Sequence, residues 1–325
     1  MSVEPRRLGH SKVQVSGLGL GTAALGGMYA HVEDAEATAV VHRALELGLS
    51  YLDTAPQYGH GTAERRVGSA LTATSSLLPR SSVVLSTKVG RLVVERATAD
   101  TGIFADAPPS EVVFDFSADG VRRSLEDSLR RLGVDSVDLL YIHDPDDYAD
   151  QAIRETYPVL HDLRAQGVVG AIGVGMNQTA VPARFVRETD IDAVLLAGRY
   201  TVLDRSGERE LLPECSRRGV SVVIGGVYNS GVLADTAPGA RFDYAPAPPR
   251  VVTQARRLAD VCAAAGVPLK AAAIQFPRRH PAVACVLIGA RSVAELEENV
   301  AMAQVAIPAE LWPALDEVVG QGVSR

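Results

Sequence analysis

Cysteine is scarce in this chain: Cys215, Cys262 and Cys285 stand far apart in 325 residues. An odd, scattered set offers no disulfide framework and no metal-ligand spacing, so it reads as buried thiols of a reducing, cytoplasmic compartment. Long apolar runs are missing too. No stretch reaches the roughly 18 residues that suggest a membrane span, and the opening MSVEPRRLGHSKVQVSG holds no signal-peptide core. Basic charge is in deficit, with 32 Lys and Arg against 39 Asp and Glu and a net charge of -7. A field of that sign argues against nucleic acid and anionic membrane as partners, while a phosphate-bearing cofactor needs only a locally positive pocket. Aromatics are 5% of the residues, with one tryptophan, Trp312, in the tail. No His/Cys cluster at ligand spacing occurs, so no metal is expected.

What is present is alternation. Short aliphatic runs are followed by longer amphipathic ones. Arg7-Leu8-Gly9 and Val13-Gln14-Val15 read as a small N-terminal hairpin, and Leu18 to Gly21 as a first strand. Strands then follow at 49–53, 83–88, 137–143, 168–174, 193–196, 220–224 and 283–288. Helices are expected between them, including Ala35–Leu47, Ala63–Leu71, Ala118–Leu132, Ala149–Gln166, Glu208–Arg218 and Ser292–Met302. Such alternation implies parallel strands, either in an open doubly wound sheet or in a closed (β/α)8 TIM barrel. Eight units in one chain of this length suit the barrel, and no GxGxxG opens the first strand-to-helix turn. With no linker or low-complexity segment, residues 1–325 read as a single barrel domain. Two long connections, Gly90 to Phe116 and Gly225 to Arg250, leave strand ends on the C-terminal face, where barrel sites are built.

Asp53, Lys88 and His143 end the second, third and fourth strands, and Tyr58 follows Asp53 by five residues. Taken singly, each has a bland reading: a helix cap or turn former, a surface lysine, a structural histidine, a packing tyrosine. Together on one rim they suit a proton relay. Lysine beside tyrosine favours phenolate and lowers its pKa, aspartate keeps the lysine charged, and histidine orients a substrate oxygen. Hydride transfer then requires a nicotinamide cofactor.

The motifs GLGLGT, LDTAPQYG, LSTKVG, LLYIHDPD and GARSVAELEEN, in this order, resemble the aldo-keto reductase family over nearly the whole chain. VFDFSADGVRRSLEDSLRRLGVDSVDLLYIHDPDD, AIGVGMNQ, LLAGRYTVLD and VYNSGVLA resemble its sugar-dehydrogenase branch, the L-fucose and D-threo-aldose 1-dehydrogenases, and pyridoxal 4-dehydrogenases as well. The resemblance implies that Tyr58 is the acid/base of a tetrad with Asp53, Lys88 and His143. It implies that NAD(P) lies across the C-terminal face, touched by Gly21, Thr22, Asp53, Asn177, the loop residues Val227, Asn229, Ser230 and Gly231, and by Gly289, Arg291, Glu295, Glu298 and Asn299. The loop residues also read as an ordinary turn, and Ser292 with Glu295 as a helix capping box. The sequence departs from the family at Gly175-Met176 before Asn177, at Ala197 and at Gly225, where nicotinamide-contacting side chains are usual.

Glu295 stands near positions where NADP-using relatives carry arginine, which favours NAD over NADP; Arg291 argues the other way. Ala23, Val89 and Gly90 occupy positions that are often aromatic, so an open pocket is expected, with Asp144, Asn177 and Arg199 as its polar groups unless Arg199 is a structural pair. The expected activity is oxidation of an aldose at its anomeric carbon to a lactone, by a monomer or small homo-oligomer. Alternatives are a pyridoxal dehydrogenase or general aldehyde reductase, a cofactor-binding regulatory subunit without turnover, and a Schiff-base enzyme using Lys88.

Overall fold

The computed structural model describes residues 5–74, 79–97 and 100–322; the ends of the expected 1–325 span and positions 98–99 of the first long connection lie outside them. Parallel strands β1 (Leu18–Gly21), β2 (Tyr51–Asp53), β3 (Val84–Val89), β4 (Leu139–His143), β5 (Ala171–Met176), β6 (Ala193–Ala197), β7 (Ser221–Gly225) and β8 (Val283–Ile288) close into a barrel. Each strand pairs with the next, and β8 returns to β1 through Val286↔Leu18 and Ile288↔Leu20. No single helix among the described residues is long and apolar enough to cross a membrane.

Strand parity divides the core in two. Leu52, Leu85, Leu140, Ile142, Ile172, Val174, Leu196 and Ile224 pack outward against the helices. Their neighbours Tyr51, Leu139, Tyr141, Ala171, Leu195, Val223, Cys285 and Leu287 fill the barrel interior. Because successive strand side chains alternate, Asp53 lies on the same face as Tyr51, Lys88 as Ser86, and His143 as Tyr141. All three therefore enter the interior at its C-terminal mouth. The hairpin Arg6–Arg7/Gln14–Val15 closes the opposite end, with Leu8 and Val15 in the interior cluster and the Gly9 amide bonded to Ser221 at the start of β7.

Four expected elements differ. The helix at 149–166 is broken into Ala149–Gln151, a π turn at Ala152–Thr156 and Tyr157–Ala165. Pro158 lacks an N–H to continue the α ladder, and the wider turn accommodates the gap. The strand placed at Val168 begins at Ala171, because β4 starts at Leu139, which pairs with Ala171 and leaves Val168 and Val169 without a ladder neighbour. The connection 90–116 is not a plain loop: it carries an antiparallel hairpin, Arg91–Glu95 with Ser110–Phe114. The helix expected from Glu208 starts at Leu211, after a short 3₁₀ turn. All three cysteines are buried and free.

Candidate active site

At the mouth, Lys88 is the hub. Its Nζ donates to Asp53 Oδ2 at 2.8 Å, to the Thr54 carbonyl at 2.9 Å and to Tyr58 Oη at 3.1 Å. Lys88 is 1% exposed and Asp53 2%, so neither charge is met by bulk water and each depends on the other. Below them Ser86 donates to Asp53 Oδ1 at 2.7 Å, and the Tyr51 hydroxyl lies 3.1 Å from Ser86 and 3.3 Å from Tyr141. The barrel interior thus holds the carboxylate from underneath.

Tyr58 reaches this group on a turn after β2. The turn is pinned by close backbone packing: Gly59, at φ 61°, lies so near Gly26 that a Cβ there would come within 2.3 Å of the Gly26 carbonyl oxygen. Only glycine meets both the conformation and the contact. His143 ends β4 with its ring edge-on to Tyr58, centroids 6.0 Å apart.

Burial pushes the Tyr58 phenol up; Lys88 opposes this, but the net direction is up. The expectation that the lysine leaves tyrosine with a lowered pKa is therefore corrected: desolvation outweighs the ammonium, and neutral phenol is the form held near pH 7. Burial by itself would lower Lys88, but Asp53 and Tyr58 outweigh it, so the ammonium persists. An amine held as ammonium is a poor Schiff-base nucleophile, which counts against that alternative. Burial, then Arg91 and Lys88, hold His143 well below the usual histidine value, so its ring is neutral.

These groups open into a cavity of about 460 Å³, also lined by Gly21, Tyr29, Gln57, Arg91, Phe104, Asp144, Asn177 and Tyr244. The cavity runs on into a groove of about 640 Å³; Ala24, Tyr29, Gly226, Ser230 and Gly289 line both. The groove's outer end carries Lys270, Arg291, Glu295, Glu298 and Asn299. Cavity and groove together form one continuous trough across the C-terminal mouth of the barrel. A Cβ at Gly175, Gly225 or Gly289 would meet its nearest protein atom only at 3.6, 3.7 and 3.8 Å respectively. Packing would accept a side chain at each of these positions, so the glycines leave room in the trough rather than in the protein core.

Of the sequence-derived contacts, Gly21 and Asn177 line the cavity, while Val227, Ser230, Gly231, Gly289, Arg291, Glu295, Glu298 and Asn299 line the groove. Two do not. Thr22 is fully buried, its hydroxyl donating to the Asp53 carbonyl. Asn229 is 4% exposed and accepts from Thr201 while donating to the Gly198 carbonyl, so it braces the loop from beneath. Arg199 is the structural pair: it donates to the Asn177 carbonyl at 2.6 Å and to Asp243 at 2.8 Å. Ser292 caps its helix by accepting from the Glu295 amide, but Glu295 turns its carboxylate onto Arg291, taking the backbone N–H and the guanidinium, each at 2.9 Å.

The expected openness is also corrected. Aromatic walls arrive from the loops: Tyr29 after β1, Phe104 from the 90–116 connection and Tyr244 from the loop after β7. These segments knit together through Tyr29 N–H to the Ile103 carbonyl, the Met28↔Phe104 bridge, Tyr244 N–H to Ser230 Oγ, and Arg241 over the Tyr29 ring. Their contacts are non-local, so no spacing in the sequence announces them. Arg91, missed likewise, had one available signal: its place three residues after Lys88.

The Aldo/keto reductase family profile matches residues 17–319. This chain belongs to the aldo/keto reductase family. Among curated relatives, this aldo-keto reductase is 40% identical to pyridoxal 4-dehydrogenase of Microbacterium luteolum, over 96% of each chain. It is 38% identical to D-threo-aldose 1-dehydrogenase of a Pseudomonas species, over 93% of this chain and 94% of that one. A solved aldo-keto reductase of Bacillus halodurans, in its holo form, superposes with a TM-score of 0.74 at 26% identity, covering 98% of this chain and 96% of the other. As a member of this family the protein is an NAD(P)-dependent oxidoreductase.

Proposed function

We propose that the cavity oxidises the anomeric carbon of an aldose of the L-fucose, D-arabinose or L-galactose type to a lactone, with the dinucleotide lying in the groove. When bound, the nicotinamide supplies the acceptor for the substrate's hydride. Tyr58 exchanges the proton of the reacting oxygen: its phenolate takes the hydroxyl proton in oxidation, and its phenol returns it in reduction. Lys88 stabilises the developing phenolate from 3.1 Å. Asp53 and the Thr54 carbonyl hold the ammonium in place. The neutral His143 ring donates an N–H to the substrate oxygen and orients it. The observation that carries this reading is the buried row of carboxylate, ammonium and phenol at the head of a long trough.

A polar wall of Arg91, Asp144 and Asn177 supports a hydroxylated substrate. A second reading, pyridoxal oxidation, is favoured by the aromatic walls of Tyr29, Phe104 and Tyr244. NAD is favoured over NADP, because two of the groove's three cations, those beside the last strand-to-helix turn, are already matched: Arg291 with Glu295 at 2.9 Å and Lys270 with Glu298 at 2.7 Å, while the third, Arg241, lies over the Tyr29 ring. A 2′-phosphate would meet those carboxylates, whereas ribose hydroxyls can donate to them. Initial rates with NAD and NADP against L-fucose, D-arabinose, L-galactose and pyridoxal test the reading. Turnover of pyridoxal with none of the sugars would transfer the assignment to the second reading. Tight cofactor binding with no turnover would point to a regulatory subunit.

A further inference from the structure

We infer that Arg91 and Asp144 form a substrate-reading pair that selects a hydroxyl on the carbon next to the reacting one. The inference rests on the assignment of Tyr58 and His143 to the reaction centre and goes on to name what the adjoining wall recognises. Both residues line the catalytic cavity. Asp144 directly follows His143 and sits in the left-handed region, at φ 42°, with its amide bonded to the Gly175 carbonyl at 3.0 Å. Aspartate is among the few side-chain residues that adopt this region readily. The result is a carboxylate whose Oδ2 lies 3.6 Å from His143 Nε2 and 2.7 Å from an Arg91 guanidinium nitrogen. The carboxylate therefore stands one contact beyond the ring that faces the reacting oxygen.

Arg91 is held from the other side. Its cross-strand partner Phe114 covers the guanidinium, with the ring centroid 4.7 Å from the central carbon. Among the described residues Arg91 has one side-chain hydrogen-bond partner, Asp144, reached through Nη2. The pair therefore keeps donor N–H groups on the arginine beside acceptor lone pairs on the carboxylate, on the wall of the cavity. A hydroxyl is a neutral group that both donates and accepts through one atom, so it can engage both partners. An anionic substituent would meet Asp144, and a cationic one Arg91.

The test compares glyceraldehyde, which carries the neighbouring hydroxyl, with propanal, which has the same chain length without it, in reduction with the preferred dinucleotide. The wild-type kcat/KM ratio should favour glyceraldehyde. Arg91→Met should lower that ratio about tenfold or more, the scale of a lost hydrogen bond to a charged group. Arg91→Lys should recover part of it. The near-isosteric Asp144→Asn should lower the same ratio, which keeps the test valid if Arg91→Met folds poorly. A wild-type ratio near one, or a ratio unchanged in both variants, overturns the inference. Failure of the underlying assignment reads differently: Tyr58→Phe would then turn over both aldehydes.

Discussion

The inner cavity and the outer groove form one trough but are built by different means. The cavity's reactive groups hang from barrel strands or a turn braced by backbone, are nearly all buried, and are wired to one another: Asp53, Lys88 and His143 are at most 6% exposed. The groove is walled by loops and a helix terminus, and its charges pair at the surface, with the side chains of Arg291 and Glu295 47% and 40% exposed. In the cavity, removing one partner strands a charge in low dielectric; in the groove, water screens the loss. Chemistry is expected to fail steeply in the first region and selectivity to drift gently in the second.

The largest effect should follow Tyr58→Phe, with kcat about 10³-fold lower, within the usual range for a general acid or base. Dinucleotide affinity, read by fluorescence titration, should stay within about threefold, since the hydroxyl is assigned to the chemical step. Activity within tenfold of wild type would count against the cavity assignment.

Lys88→Met should leave the Asp53 carboxylate unpaired and cost about 3–5 kcal/mol of stability, measured by denaturant midpoint. A loss as small as that of a surface ion pair would erase the contrast between the regions.

The pH profile sharpens it further. Tyr58 is raised from its ordinary value of 10.0, so phenol predominates at neutral pH. Oxidation should therefore speed up as pH rises towards the alkaline range, while reduction holds steady and declines only there. An oxidation rate that does not climb with pH contradicts the phenolate role.

In the groove, Glu295→Gln releases Arg291 and should shift the NADP-to-NAD preference about tenfold towards NADP, or roughly 1.4 kcal/mol. An unchanged preference would show that the pair does not read the ribose.

Smallest of all, Arg199→Ala removes the tether between the Asn177 carbonyl and Asp243. It should raise KM by about threefold with kcat nearly intact, as for a partly exposed ion pair. A collapse in kcat would place this loop in the chemistry.

The same contrast governs what could be read in advance. Asp53, Lys88 and His143 were legible because each ends an aliphatic run whose alternation is local, and parity alone sends them inward. Tyr58 was legible from its short distance to Asp53. The family resemblance places Thr22 and Asn229 against the cofactor, whereas both are sequestered under the loops by hydrogen bonds to Asp53, Thr201 and Gly198. The direction of the Tyr58 shift was missed because pairwise reasoning credits Lys88 and leaves out burial, which is set by the whole assembly.

Strand count, the parallel barrel and the strand-end groups follow from periodicities of two and of 3.6 written along the chain. Which loops roof the cavity, which cations arrive already neutralised and which protonation state Tyr58 keeps were set by the packed fold. Those properties depend on contacts between residues far apart in the chain and on the water that such contacts expel.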